Sequence, residues 1–218
     1  MYIYQYPRPM VTVDIMVLSL IKKNLSVLLI QRKNGPFKAQ WALPGGFIEM
    51  DETLVESASR ELKEETALSN VHLTELGTFG DPGRDPRGRT VTILYLAILN
   101  REYPIHAGDD AQNAQWFEIN HLPKMAFDHN NVIQISRGKL LEKIFLNGLF
   151  QYFFCQPVRT KDFAELVRQI LNRSLGELKI SGLLDCLPGY SVENDFLVMN
   201  KDKNSSCENW FNIFNTNF

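Results

Sequence analysis

Three carboxylates crowd one end of the segment Gly46 to Leu68, GFIEMDETLVESASRELKEETAL. On a helix turning about 100° per residue, Glu61, Glu64 and Glu65 share an arc roughly 100° wide. Val55, Ala58 and Leu62 form a narrow apolar stripe beside that arc, and Glu52 falls opposite it. Three like charges so close repel one another, and each raises its neighbours' pKa unless a cation neutralises them. The donors are all oxygen, with no Cys or His among them, which suits Mg2+ or Mn2+ better than zinc. The same three glutamates also fit a solvated acidic helix face. Glu56 and Arg60 stand in the order of an ordinary surface pair four residues apart.

A second group of chemistry-bearing residues lies in Gly80 to Arg89, GDPGRDPRGR, where Arg84, Arg87 and Arg89 sit on a glycine- and proline-punctuated loop. Guanidinium forks match phosphate or carboxylate, and prolines reduce the entropy lost on ordering. A solvated turn with local Arg–Asp pairs has the same composition. Arg32, Phe37 and Trp41 are candidates to help hold phosphate and base, with Trp41 equally suited to the core.

These groups need a frame. Thr12 to Leu20 and Leu25 to Gln31 are rich in Val, Ile and Leu, with Lys22-Lys23-Asn24 between them, and predict a hairpin of two buried strands. Pro44-Gly45-Gly46 marks a turn, after which the pattern predicts a helix from about Glu52 to Leu68 with Asp51 as its N-cap. Val71 to Phe79, Thr90 to Leu99 and Ala114 to Ile119 read as further strands, and the Arg-rich loop between the first two is neither helix nor central strand. Strands and helices mixed in this way predict an α/β sandwich with a mixed sheet. From about Asp128 the chain turns helical, with Val132 to Phe150, Lys161 to Leu171 and Leu175 to Leu187 as helices and Tyr190 to Met199 as a short hairpin. The tail from Lys201 is rich in Asn and is expected to be poorly ordered.

Composition narrows the class. The chain has 218 residues, 44% of them hydrophobic, and a net charge of −2, which excludes a disordered polyelectrolyte and argues against non-specific nucleic-acid binding. The first ten residues show neither a basic region nor a long apolar one, so no secretory signal is expected. The longest apolar stretch, Ile15 to Ile21, is too short for a bilayer, and no membrane association is expected. Cys155, Cys186 and Cys207 are odd in number and widely spaced, consistent with inert thiols in a reducing, cytoplasmic setting.

The complete spacing around the glutamates is more specific than the glutamates alone. Five residues separate Gly46 from Glu52, seven separate Glu52 from Arg60-Glu61-Leu62, and Glu64-Glu65 and Ala67-Leu68 come next at single-residue intervals. This resembles the Nudix box at every fixed position except Ala67, where the family has glycine. Trp41 to Gly46 is similar to the family's approach to the box, and Ala114 to Phe117 with Leu122-Pro123 to its late strand and turn. The resemblance implies an α/β/α sandwich over residues 1–149, with a small helical, winged-helix-like region over 150–200 and a polar tail over 201–218.

Carried over by position, the resemblance makes Glu61, Glu64, Glu65 and the Gly46 carbonyl ligands of Mg2+ or Mn2+. Arg60 would orient a catalytic glutamate, and Glu52 would serve the catalytic set or close the loop–helix junction. Glu65 or Glu61 is the first choice for the base, with Asp109, Asp110 and Glu118 as alternatives. Arg32, Trp41, Arg84, Arg87 and Arg89 would bind substrate. The implied reaction is hydrolysis of a nucleoside diphosphate derivative, with ADP-ribose the leading substrate and a homodimer the expected assembly. The Arg-rich loop also resembles that of Nudix-type regulators of NAD metabolism, in which a C-terminal winged helix reads DNA. Nine Lys/Arg against eight Asp/Glu between Lys124 and Asn200 equip such a module poorly.

Overall fold

The computed structural model describes residues 5–101, 103, 111–146, 148–154, 158–173, 182–184, 187 and 189–199. The hairpin is present as β1 (Met10–Ile21) and β2 (Asn24–Arg32), antiparallel from Leu18↔Val27 to Ile21↔Asn24. Lys22 and Lys23 take φ of 49° and 74°, the left-handed geometry that suits a tight hairpin turn to the strand twist. β3 (Trp41–Ala42) and β4 (Gly45–Phe47) are short pieces on β2 and β1, and helix α1 (Leu54–Thr66) comes next. β5 (Thr74–Phe79), β6 (Thr90–Leu99) and β7 (Ala111–Glu118) complete the sheet, and helix α2 covers His129–Leu146.

The strand order β3-β2-β1-β6-β5, with β4 on β1 and β7 on β2, makes a mixed sheet, as expected. β1 runs parallel to β6 over ten pairs, from Met10↔Thr90 to Ser19↔Leu99, while its other neighbours are antiparallel. Alternation along β1 sorts its side chains between two faces. Val13, Ile15 and Val17 join Leu28, Ile93, Tyr95 and Ala97 in a cluster that takes α1 through Ala58 and Leu62. Asp14, Met16 and Leu18 lie on the other face and are buried as well.

The start of α1 differs from the expectation. Its N-cap is Thr53, not Asp51: the Thr53 hydroxyl accepts from the Glu56 backbone N–H, and the Glu56 carboxylate accepts from the Thr53 N–H at 2.8 Å. This reciprocal box occupies Glu56, so Glu56 and Arg60 form no pair. Val55, placed by the wheel in the apolar stripe, is 43% exposed in the first turn, and the buried face is Ser57, Ala58, Leu62, Glu65 and Thr66.

The contacts divide the chain into two units between Lys139 and Leu140, inside α2, upstream of the boundary expected at 149/150. The second unit holds the end of α2, a 3-10 helix at Leu149–Phe153, β8 (Val158–Arg159), α3 (Thr160–Leu171), β9 (Tyr190–Glu193) and β10 (Phe196–Met199). Phe163 of α3 meets Phe145 and Phe150 edge-on, which ties the end of α2 and the 3-10 helix to α3. β8, β10 and β9 form an antiparallel sheet in that order, the small sheet and hairpin of a winged-helix-like unit. Most of the helix expected at 175–187, all three cysteines, Asp109, Asp110 and the tail from 201 lie outside the described residues. Among the described residues no helix is long and apolar enough to cross a membrane.

Candidate active site

β4 brings the glycine turn against β1, with Asp14 opposite Gly45 and Val13 opposite Gly46. Gly45 requires glycine, and at Gly46 a side chain would displace the Glu61 carboxylate. A Cβ at Gly45 (φ 152°) would overlap the Val13 carbonyl oxygen, and one at Gly46 would lie 2.5 Å from Glu61 Oε1. The missing Cβ of Gly46 is the space the Glu61 carboxylate uses.

Arg60 organises the acidic face of α1. Its Nε donates to both Glu52 oxygens at 2.9 and 3.0 Å, and its Nη2 donates to the Phe47 carbonyl at 3.1 Å. Its Nη1 bridges Glu61 at 2.8 Å and Glu64 at 3.3 Å. The Glu52 hydrogen bond, above all, raises the Arg60 pKa. Arg60 and then Ser57, whose hydroxyl donates at 2.8 Å, hold the Glu52 carboxyl below its ordinary value. Glu52 thus bonds both Arg60 and Ser57 at the loop–helix junction.

Glu65 faces the sheet. It is 8% exposed and accepts the Gly45 N–H at 2.9 Å. Burial pushes its pKa up to about 8; the Gly45 bond opposes this, while Glu61 and Asp14 add to it. Glu64 is more than half exposed, and Ala67 ends the helix in the left-handed conformation (φ 61°), its N–H on the Lys63 carbonyl.

With Arg60 between Glu61 and Glu64 and Glu65 turned to Gly45, no three Asp, Glu, His or Cys side chains converge as an ion cage among the described residues. The donor set still fits a hard divalent cation. It is all oxygen, and Gly46 leaves the room that Glu61 needs.

Beside this face opens a small cleft of about 70 Å³. Arg32, Arg84 and Arg87 line it, whereas Trp41 and Arg89 do not. The Arg32 and Arg87 guanidinium carbons lie 4.8 and 5.2 Å from the centre of the Phe127 ring, and Arg87 also stacks 4.8 Å from Phe47. Arg32 Nε donates to the Pro36 carbonyl at 2.8 Å; burial, then the charge of Arg87, lowers its pKa. Asp85 grips Arg87 through both carboxylate oxygens, at 2.7 to 3.1 Å, a local pair of the kind a turn provides. Arg84 instead turns inward onto Asp128. Arg89 reaches the Gly80 carbonyl and closes the base of the loop. Trp41 meets Phe117 edge-on at 4.7 Å, and its carbonyl accepts the Ala126 N–H. Glu118, at the end of β7, is engaged with Asn24 and His121.

Sequence reasoning missed Asp14, Phe47, Asp85, Phe127 and His129, all of which line the cleft. Asp14 alone carries a signal, as a lone acid inside the apolar run VTVDIMVLSL.

The NUDIX domain family matches residues 9–134. An ADP-ribose pyrophosphatase of Methanocaldococcus jannaschii is 46% identical over 130 residues, covering 59% of this chain and 73% of the relative. The ADPR responsive transcriptional repressor NtrR of Acinetobacter baylyi is 37% identical over 142 residues, covering 63% of this chain and 57% of the repressor. A MutT/nudix family protein from Enterococcus faecalis, solved by crystallography, superposes with a TM-score of 0.75 at 27% identity, over 92% of this chain and 90% of that one. With the family match spanning more than half the chain and the box residues gathered around Arg60 and Gly46, the chain belongs to the NUDIX family.

Proposed function

We propose that this Nudix pyrophosphohydrolase cleaves the diphosphate of ADP-ribose. The observation that carries the reading is the junction of two half-sites: the carboxylates of α1 around Gly46, and the Arg32–Phe127–Arg87 stack in the adjoining cleft. The similarity to an ADP-ribose pyrophosphatase supports the choice of substrate. Glu61, Glu64, Glu65 and the Gly46 carbonyl would hold Mg2+ or Mn2+, which would supply charge neutralisation at the diphosphate and acidify water. Arg32 and Arg87 bind phosphate oxygens, an interaction suited to guanidinium forks. Arg60 holds Glu61 in place, and Glu52 fixes Arg60. Glu65 or Glu61, ionised by the positive charge that a bound cation would supply, accepts the proton of the attacking water.

A second reading is favoured by one observation: the winged-helix-like second unit, together with the similarity to an ADPR responsive repressor. In that reading the cleft senses ADP-ribose and the second unit contacts DNA. Incubation with ADP-ribose, NADH, diadenosine polyphosphates and oxidised nucleotides in Mg2+ tests the first reading, and absence of turnover on all of them refutes it. Binding to DNA from the gene's own upstream region, released by ADP-ribose, would establish the second. The double variant Glu64→Gln/Glu65→Gln is expected to abolish turnover with the fold intact; retained turnover overturns the ligand assignment.

A further inference from the structure

Asp14 is a carboxylate in a central strand, between Val13 and Ile15, both fully buried. A charge there is expensive unless paired and hydrogen-bonded, and its partners come from three other parts of the chain. Thr92 Oγ1 on β6 donates to it at 2.7 Å. Arg84 Nη2, from the glycine-rich loop, lies 3.9 Å from its Oδ2. His129 Nε2, at the start of α2, lies 3.7 Å from its Oδ1. His129 Nδ1 accepts the Leu43 N–H at 3.0 Å, so the ring proton belongs on Nε2 and points toward Asp14. Arg84 meanwhile makes a two-pronged bond to Asp128, at 3.0 and 2.7 Å, and its side chain is 5% exposed.

This network ties together the pieces that build both half-sites. Asp14 pairs through its backbone with Gly45, whose N–H holds Glu65. Arg84 immediately precedes Asp85, whose carboxylate holds Arg87 over Phe47 and Phe127. Phe127 immediately precedes Asp128. Fixing Arg84 to Asp128 therefore fixes Arg87 and the ring it stacks on with respect to each other.

We infer that Arg84 is a positioning residue: its buried bond to Asp128 beside Asp14 holds the loop so that Arg87 meets the substrate, and Arg84 itself makes no substrate contact. The inference rests on the reading of the cleft as a diphosphate site. A pair kept for stability alone could be replaced by apolar side chains of similar volume at little loss, and would leave substrate affinity unchanged.

A double-mutant cycle separates these roles. ADP-ribose turnover and thermal unfolding are measured for the wild type, Arg87→Ala, Arg84→Met and the double variant. Arg87→Ala is expected to raise KM about tenfold to a hundredfold, as for loss of a charge-assisted hydrogen bond. Arg84→Met is expected to raise KM nearly as much, and the double variant no further than Arg87→Ala alone. Multiplying losses would show that Arg84 touches substrate, and a fall in Tm with unchanged KM would show a structural pair; either overturns the inference. Asp128→Asn, which keeps the shape but removes the charge, is expected to reproduce the KM rise about fivefold, and serves if Arg84→Met does not fold. Absence of wild-type turnover counts against the hydrolase reading alone. The same cycle is then read from metal-free ADP-ribose binding by calorimetry, where a double variant that binds no more weakly than Arg87→Ala supports the positioning role and multiplying losses refute it.

Discussion

Glu65→Gln isolates the strain that the active site places on the fold. The folded Glu65 carboxyl holds its proton up to about pH 8, against an ordinary 4.5, chiefly because burial disfavours its charge. Between those values the folded state binds more protons than the unfolded state, so stability falls as pH rises through the window. At about 1.4 kcal/mol per pH unit the full rise corresponds to an upper bound of about 5 kcal/mol. Relaxation and water entry reduce it, and about 2–3 kcal/mol is expected. Glutamine keeps an oxygen for the Gly45 N–H, now 2.9 Å from Glu65 Oε2, and carries no charge at any pH. In a chain of this size 1 kcal/mol moves Tm by about 2–4 °C. Thermal unfolding in chelator should therefore show Glu65→Gln close to wild type at pH 4.5 and more stable by about 4–12 °C at pH 8. Saturating Mg2+ should close the gap by stabilising only the wild type. Every other titrating group is common to both proteins, so a gap of equal size at both pH values would refute the burial of a charged Glu65 as the source.

Gly46→Ala puts a methyl group where Glu61 Oε1 would lie 2.5 Å away, so the carboxylate must move; kcat is expected to drop about a hundredfold, with circular dichroism unchanged. Ala67→Gly relieves a left-handed alanine at the end of α1. Net of the greater chain entropy of glycine, Tm should rise by about 2–4 °C, with kcat unchanged. Glu52→Gln loosens the anchor of Arg60 and should lower kcat about tenfold with little change in KM; wild-type kinetics would show that Phe47, Glu61 and Glu64 suffice to hold the guanidinium.

The elements that obey a period are legible. β-Branched and apolar residues along Thr90 to Leu99 give β6 to the residue, because a strand buried on both faces reads as a near-continuous apolar run. The N-cap is legible too, but residue type alone puts it two residues early. Asp51 is a good capping residue by type, yet Thr53 with Glu56 three positions on is the capping box, and the reciprocal bond outweighs side-chain preference alone. Val55 shows the limit of the wheel. Angle assigns it a face, but the cluster that α1 joins begins only at Ala58.

The site divides along the same line. Glu61, Glu64, Glu65, Arg60 and Gly46 lie within one short segment, so their spacing suffices to group them. The cleft is assembled from β1, β4, the loop before β6 and the start of α2, and no spacing encodes which of its side chains meet. Arg84, Arg87 and Arg89 look alike in sequence, three arginines on one loop. What separates them is each one's partner: Asp85 two residues away for Arg87, the Gly80 carbonyl for Arg89, and Asp128 on the far side of β6 and β7 for Arg84. Only the nearest partner can be read from the chain. Type alone places Arg84 with the substrate, because guanidinium suits phosphate, and the same type suits a buried carboxylate equally well. The deciding observation is burial: Asp128 engages both prongs of an Arg84 side chain that is 5% exposed, whereas Arg87, gripped likewise by Asp85, keeps 34% of its side chain exposed, so in the proposed reading Arg87 and Arg32 are the cations that face the diphosphate.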